Sequence, residues 1–149
     1  MQVFVKNTDI LRGQYSGQND LDALIYVFSA WKEAGEKGED DWYEFGKDSA
    51  YTKPLVNGAP YVLKHVHMTP VSNNDDLVKW DRAWEFRARR TSDRILVYVQ
   101  DGRKYLLIAL LEEPTAHAVG AMRTPRDLHR MKQFVKIAED FIATGDIIA

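Results

Sequence analysis

Two of the four histidines stand two positions apart, His65 and His67, in the stretch Tyr-Val-Leu-Lys-His-Val-His-Met-Thr-Pro that covers residues 61–70. The run around them reads as a β-strand, and residues i and i+2 of a strand point to the same face. The two imidazoles are therefore expected side by side. Three readings fit such a pair. It can be a hydrogen-bonded packing pair. It can be two ligands of a metal completed by Asp93 or His117. Or it can do acid–base work on a bound substrate.

The spacings His-x-x-Glu-His and His-Glu-x-x-His do not occur, and the chain has no cysteine to supply a thiolate. No metal and no other cofactor is expected on that basis. Metal-free cleavage of RNA asks for something different. The nucleophile is the substrate's own 2′-hydroxyl, which DNA lacks. The protein has to add a base, an acid for the leaving 5′-oxygen, and cations for the charged transition state. Imidazoles titrate near neutrality and suit the first two tasks. Guanidinium groups suit the third, because they bind phosphate bidentately. The stretch Arg-Ala-Arg-Arg-Thr-Ser-Asp-Arg, residues 87–94, offers Arg87, Arg89, Arg90 and Arg94 just before a predicted strand. Tyr98 within that strand could stack on a base or bond a phosphate; its bland alternative is cross-strand packing.

Charge is divided along the chain although the net charge is only −2. Residues 19–50 hold nine acidic and three basic side chains; residues 79–94 hold six basic and three acidic, and residues 123–136 five basic and one acidic. Such asymmetry can focus an anionic ligand on one side of a near-neutral molecule, although either basic cluster also fits a solvated helical face. The opening residues lack the basic flank and apolar core of a secretory leader. The longest uninterrupted apolar run, Tyr105–Leu111, is too short for a membrane span. A cytoplasmic protein without membrane association is expected.

The elements that must position these residues can be read coarsely. One domain over residues 1–149 is expected from the length. Met1–Val5 suggests an opening edge strand. Leu21, Leu24, Ile25, Phe28 and Trp31 recur at helical spacing after Asp20 as N-cap, and Gly35 and Gly38 stop the helix. The segment Gly46–Pro60 is rich in turn formers. Residues 77–90 are ambiguous between helix and strand. Asp101-Gly102 between two apolar runs is a strong hairpin signal. Pro125–Ala143 closes the chain as a helix with Leu128, Met131, Phe134, Ala138 and Phe141 along one stripe. The pattern predicts an α+β domain, a small antiparallel sheet with helices on one face and a C-terminal helix. The face of Val62, Val66 and Met68 is expected to be core, and the face of His65 and His67 open.

The ordered set of Asn19–Leu24, Phe45–Leu55, Tyr61–Met68, Arg90–Gln100, Tyr105–His117 and Met131–Phe141 resembles the YafO family of type II toxins, mRNA interferases of toxin–antitoxin systems. The family's two strand histidines are matched by His65 and His67. Its Arg-Thr-polar-Asp unit is matched by Arg90, Thr91, Ser92 and Asp93, and its histidine after the last strand by His117. Lys132 occupies the position where the family pattern has a histidine in the last helix. The resemblance implies a RelE-like α+β fold, a cognate antitoxin, and cleavage of mRNA on the translating ribosome.

Residues and resemblance together predict a metal-independent endoribonuclease. His65, His67, Arg90 and His117 are its catalytic candidates, and Arg87, Arg89, Arg94, Tyr98 and Lys132 its RNA- or phosphate-binding candidates. Trp31, Trp42, Trp80 and Trp84 are assigned to core or partner contacts. The alternative is a non-catalytic toxin of the same fold that blocks the ribosome or gyrase; fold alone does not separate the two.

Overall fold

The computed structural model describes residues 2–149; Met1, the first residue of the expected opening strand, lies outside them. The chain runs β1 (Phe4–Asn7), α1 (Asp9–Gln14), α2 (Gln18–Ala34), β2 (Phe45–Ala50), β3 (Leu63–Met68), α3 (Asn74–Glu85), β4 (Ile95–Asp101), β5 (Lys104–Leu111), α4 (Ala116–Ala121) and α5 (Pro125–Thr144). The five strands form one sheet in the order β1-β5-β4-β3-β2. The predicted α+β class with a C-terminal helix holds.

Two details differ from the expected arrangement. The sheet is mixed: β1 pairs parallel with β5, Phe4 opposite Lys104, while the other three pairings are antiparallel. Helices also cover both faces. On one face α2 lays Leu21, Leu24, Phe28 and Trp31 over Val66, Met68, Leu96, Tyr98 and Leu107. On the other, α5 lays Met131, Phe134, Ile137 and Phe141 over Leu63, Ile95, Val97, Val99 and Leu106, with Ala116 and Val119 of α4 beside them. His65 and His67 alternate with Val66 and Met68 and so share the α5 face. That face is a second core for most of its width, not an open surface.

Local chemistry explains the element ends. Helix α2 begins at Gln18 after Gly17, so Asp20 sits in its first turn, where a carboxylate favours the helix dipole, rather than at the cap. Gly35 ends it at φ 75°, a backbone conformation glycine takes without cost. Residues 74–85 resolve as helix because Asn73 caps them, its side chain accepting from the Asp76 N–H. Helix α5 starts on Pro125, with the Thr124 side chain accepting from the Asp127 N–H. In the hairpin, Asp101 pairs with Lys104, which leaves Gly102-Arg103 as the loop. Gly102 takes φ 63° at the first central position, as a type II′ turn requires.

Phe28 ties the α2 face together. Its ring meets Trp31, Phe45, Tyr98 and Tyr105 edge-on at 5.2–5.9 Å between centroids, the geometry that aromatic quadrupoles favour. Truncation of such a buried ring costs about 3–5 kcal/mol. Among the described residues no helix is long and apolar enough to cross a membrane.

Candidate functional site

Strand β3 pairs with β2, Ser49 opposite His65 and Asp48 opposite Val66. Alternation on β2 thus sends Lys47 and Ser49 to the histidine face and Asp48 to the α2 face. Strand β2 comes this close to the segment before β4 only because residue 46 is glycine. A Cβ there would lie 2.2 Å from the Arg90 carbonyl oxygen and 2.8 Å from the Trp80 ring. The close approach lets the Lys47 N–H donate to Arg90 O at 2.7 Å.

Between β2, β3, α3, residues 89–93 and the start of α4 lies a cleft of about 670 Å³. Its lining includes His65, His67 and His117, the cations Lys47, Lys79 and Arg89, and the carboxylates Asp76 and Asp93. The three imidazoles follow one another, His65 to His67 at 6.3 Å and His67 to His117 at 5.2 Å between ring centroids.

Each ring sits in a different environment. His65 stacks on Tyr51 at 4.1 Å, its Nε2 pairs with Ser49 Oγ at 3.1 Å, and its buried Nδ1 has no partner among the described residues. Burial pushes its pKa down to about 4, although the Asp48 charge pulls the other way. His67 is 4% exposed, and its Nδ1 accepts the Ser92 N–H at 2.9 Å. Burial first, and then the neighbouring His117, depress its pKa to about 4. An imidazole accepting through Nδ1 carries its proton on Nε2 when neutral, so His67 faces the site as a neutral donor. His117 is the exposed member. Its Nδ1–H donates to Asp93 Oδ1 at 2.7 Å, and the same oxygen accepts its backbone N–H at 2.7 Å. One carboxylate therefore fixes both backbone and ring and leaves Nε2 as the free nitrogen.

The arginines divide. Arg89 is exposed and lines the cleft. Arg90 is 1% exposed, and its guanidinium donates to four carbonyl oxygens: Trp42 and Phe45 at 2.7 Å, Ala88 at 3.0 Å and Asp40 at 3.4 Å. It fastens the acidic segment before β2 to the residues before β4. Arg94 turns to Glu112 and the Thr69 carbonyl. Arg87 lies over the Trp84 ring, 3.6 Å from its centroid.

Tyr98 is fully buried on the α2 face, where its hydroxyl donates to Asp48 Oδ1 at 2.7 Å. The same carboxylate takes Lys32 at 2.8 Å. Burial removes the Tyr98 ring from any base-stacking surface. Lys132 is exposed on α5 and is not among the residues lining the cleft. The fold thus brings His65, His67, His117, Asp93, Arg89 and Arg90 to one cleft and leaves Arg87, Arg94, Tyr98 and Lys132 outside its lining. It adds Lys47 and Lys79, which sequence reasoning missed. The signal for Lys47 was the alternation in Phe-Gly-Lys-Asp-Ser-Ala, hidden by the turn formers after it.

No curated protein and no solved structure matches the chain. A family model does, over residues 29–143, which include β2 to β5, the whole cleft and most of α5; its description is toxin YafO, type II toxin–antitoxin system. The chain belongs to the YafO family of type II toxin–antitoxin toxins.

Proposed function

We propose that this toxin is a metal-independent endoribonuclease that cleaves mRNA on the translating ribosome in the cytoplasm, residues 1–149 acting as one toxin domain. A protein antitoxin is the partner that the family implies. The observation that carries the nuclease reading is the Asp93–His117 pair, set at 2.7 Å beside the neutral His67 and the cleft cations.

In this reading His117 Nε2 takes the proton of the 2′-hydroxyl as that oxygen attacks the adjacent phosphorus. Asp93 holds the ring in the tautomer with Nδ1–H and stabilises the imidazolium that forms. His67 Nε2–H donates to a phosphate oxygen, and Lys47, Lys79 and Arg89 offset the charge that builds there. The bond to the 5′-oxygen breaks, and that oxygen takes a proton from the Lys47 ammonium. The products are a 2′,3′-cyclic phosphate and a 5′-hydroxyl. His65, neutral and packed between Ser49 and Tyr51, acts as a positioning residue for His67. The role first expected of Arg90 passes to Lys47 and Arg89, because both terminal nitrogens of the Arg90 guanidinium already hold carbonyl oxygens and only its buried Nε lacks a partner among the described residues.

The test is to map RNA ends made by purified protein, with and without ribosomes, for the wild type and His117→Ala. New 5′-hydroxyl ends that disappear in a folded His117→Ala support the reading. Equal toxicity of the two proteins without RNA cleavage would show a blocking toxin instead.

A further inference from the structure

The end of α3 carries a feature the mechanism does not use. Arg87 has φ 51°, in the left-handed region that glycine favours, at the turn where α3 stops. That conformation closes the helix, the Arg87 N–H donating to Trp84 O and the Ala88 N–H to Ala83 O, both at 3.0 Å, and turns the Arg87 side chain back over the last turn. Its guanidinium carbon lies 3.6 Å from the Trp84 ring centroid, and Nη1 donates to the Trp84 carbonyl at 2.7 Å. Trp84 is itself fixed, with the Tyr43 ring edge-on at 5.5 Å and the Arg90 guanidinium at 5.0 Å. Phe86, between Trp84 and Arg87 in the chain, is 78% exposed, the most exposed large apolar side chain described. Two residues further on, Arg89 lines the cleft.

We propose that Phe86 and the Arg87–Trp84 stack form a base-stacking platform for single-stranded RNA, holding a nucleotide that flanks the scissile phosphate. The proposal rests on the nuclease reading for which phosphate enters the cleft. Unpaired bases stack on aromatic rings and on guanidinium planes, and such stacking tolerates any base because each has a π-face. Residues 84–87 supply both kinds of surface, the Trp84 ring is held by Tyr43 and Arg90, and Arg89 leads on into the cationic cleft. Arg87 serves as a plane more than as a phosphate clamp.

The test is binding of a short 2′-O-methyl oligonucleotide, which cannot be cleaved, followed by fluorescence anisotropy alongside thermal unfolding. Phe86→Ala is expected to weaken binding roughly 5- to 150-fold, the range for loss of one stacked base. Arg87→Gly relieves the left-handed backbone, so it is expected to unfold no earlier than wild type while also binding more weakly. An abasic oligonucleotide should bind wild type and Phe86→Ala equally. Wild-type affinity for the 2′-O-methyl oligonucleotide in both variants would overturn the platform and leave the nuclease reading intact. So would a loss that is equally large for the abasic strand, or a loss confined to antitoxin binding. Platform-dependent binding without any cleavage of natural RNA would instead remove the nuclease reading and leave the platform standing.

Discussion

Asp93 Oδ1 lies 2.7 Å from both the backbone nitrogen and the ring Nδ1 of His117, across 24 residues of sequence. The carboxylate therefore caps the start of α4 and orients the imidazole with one atom. Loss of His117 should remove the proton acceptor, with cleavage falling about 100- to 10,000-fold in His117→Ala. Asp93→Asn keeps the shape and can present an N–H where an acceptor is needed. It is expected to slow cleavage at least tenfold with little change in substrate affinity. Single-turnover kinetics on a defined RNA separate the two effects. A purely structural Asp93 would instead show lost stability with the rate per folded molecule unchanged.

The buried histidines set a second expectation, on stability. His65 and His67 are held near 4 in the folded state against 6.5 for an ordinary histidine. Between those values the unfolded chain binds protons that the folded chain does not. Stability then rises with pH across the window, so it is complete above about pH 6.5 and is lost as pH falls towards 4. The loss is at most about 3 kcal/mol for each ring. Urea midpoints measured from pH 7.5 down to 5 should fall for the wild type and fall less for His65→Gln combined with His67→Gln. Parallel slopes in the two proteins would show that the rings are not held neutral.

Much of this was legible in the sequence, and the misses have physical causes. The His-x-His strand, the Asp-Gly hairpin and the terminal helix were readable because period and turn chemistry are local signals. The open histidine face was misjudged, although a correcting signal was present. The β4 and β5 segments Ile-Leu-Val-Tyr-Val and Tyr-Leu-Leu-Ile-Ala-Leu-Leu are apolar at consecutive positions, the mark of strands buried on both faces. Asp93 and His117 were each visible as candidates, but their pairing is tertiary. Arg90 shows the limit from the other side. Nothing in the composition of Arg-Ala-Arg-Arg tells which guanidinium turns inward.

That inward turn predicts a stability defect. Arg90→Ala removes donors from Trp42 O, Phe45 O and Ala88 O; Trp42 O keeps the Phe45 N–H and Ala88 is exposed, so the buried Phe45 O is the carbonyl that loses most. A cost of about 1–3 kcal/mol is expected from that unsatisfied group, with the packing lost around the buried side chain added to it. Arg90→Lys should recover little of it, since one ammonium cannot reach carbonyls spread around a planar fork. Chemical denaturation checks this. Near-wild-type stability of Arg90→Ala would free the guanidinium for the phosphate role first expected of it.

Gly46 gives a steric prediction with an internal control. A methyl group at residue 46 would sit 2.2 Å from the Arg90 carbonyl oxygen, so β2 must part from residues 88–91. The expected destabilisation is about 2–4 kcal/mol, and cleft activity should fall with it because Lys47 follows directly. At Gly13, in α1, a Cβ meets nothing within 4 Å. Gly13→Ala should be neutral or stabilising by up to about 1 kcal/mol. Thermal unfolding of the two variants should thus move in opposite senses or leave Gly13→Ala unmoved. Equal shifts would mean that β2 has room the geometry denies.

The cleft cations lead to a measurement that separates phosphate contacts from scaffold. Each phosphate neutralised on a single strand releases condensed counterions, and the logarithm of the binding constant falls with the logarithm of salt by about 0.7 per contact. Lys47, Lys79 and Arg89 line the cleft, whereas Arg90 is buried and Arg94 is directed to Glu112 and Thr69. Replacing Lys47, Lys79 or Arg89 by Ala should each flatten the salt dependence of RNA binding by about 0.7, with affinity lost evenly across sequences. Arg94→Ala should leave the slope unchanged, and Lys132→Ala on α5 should do the same. The readout is the salt slope itself, which a general loss of folded protein does not alter. If Arg94→Ala and Lys132→Ala flatten the slope while the cleft substitutions do not, RNA crosses a different face, and the histidine cleft is not where the phosphate lies.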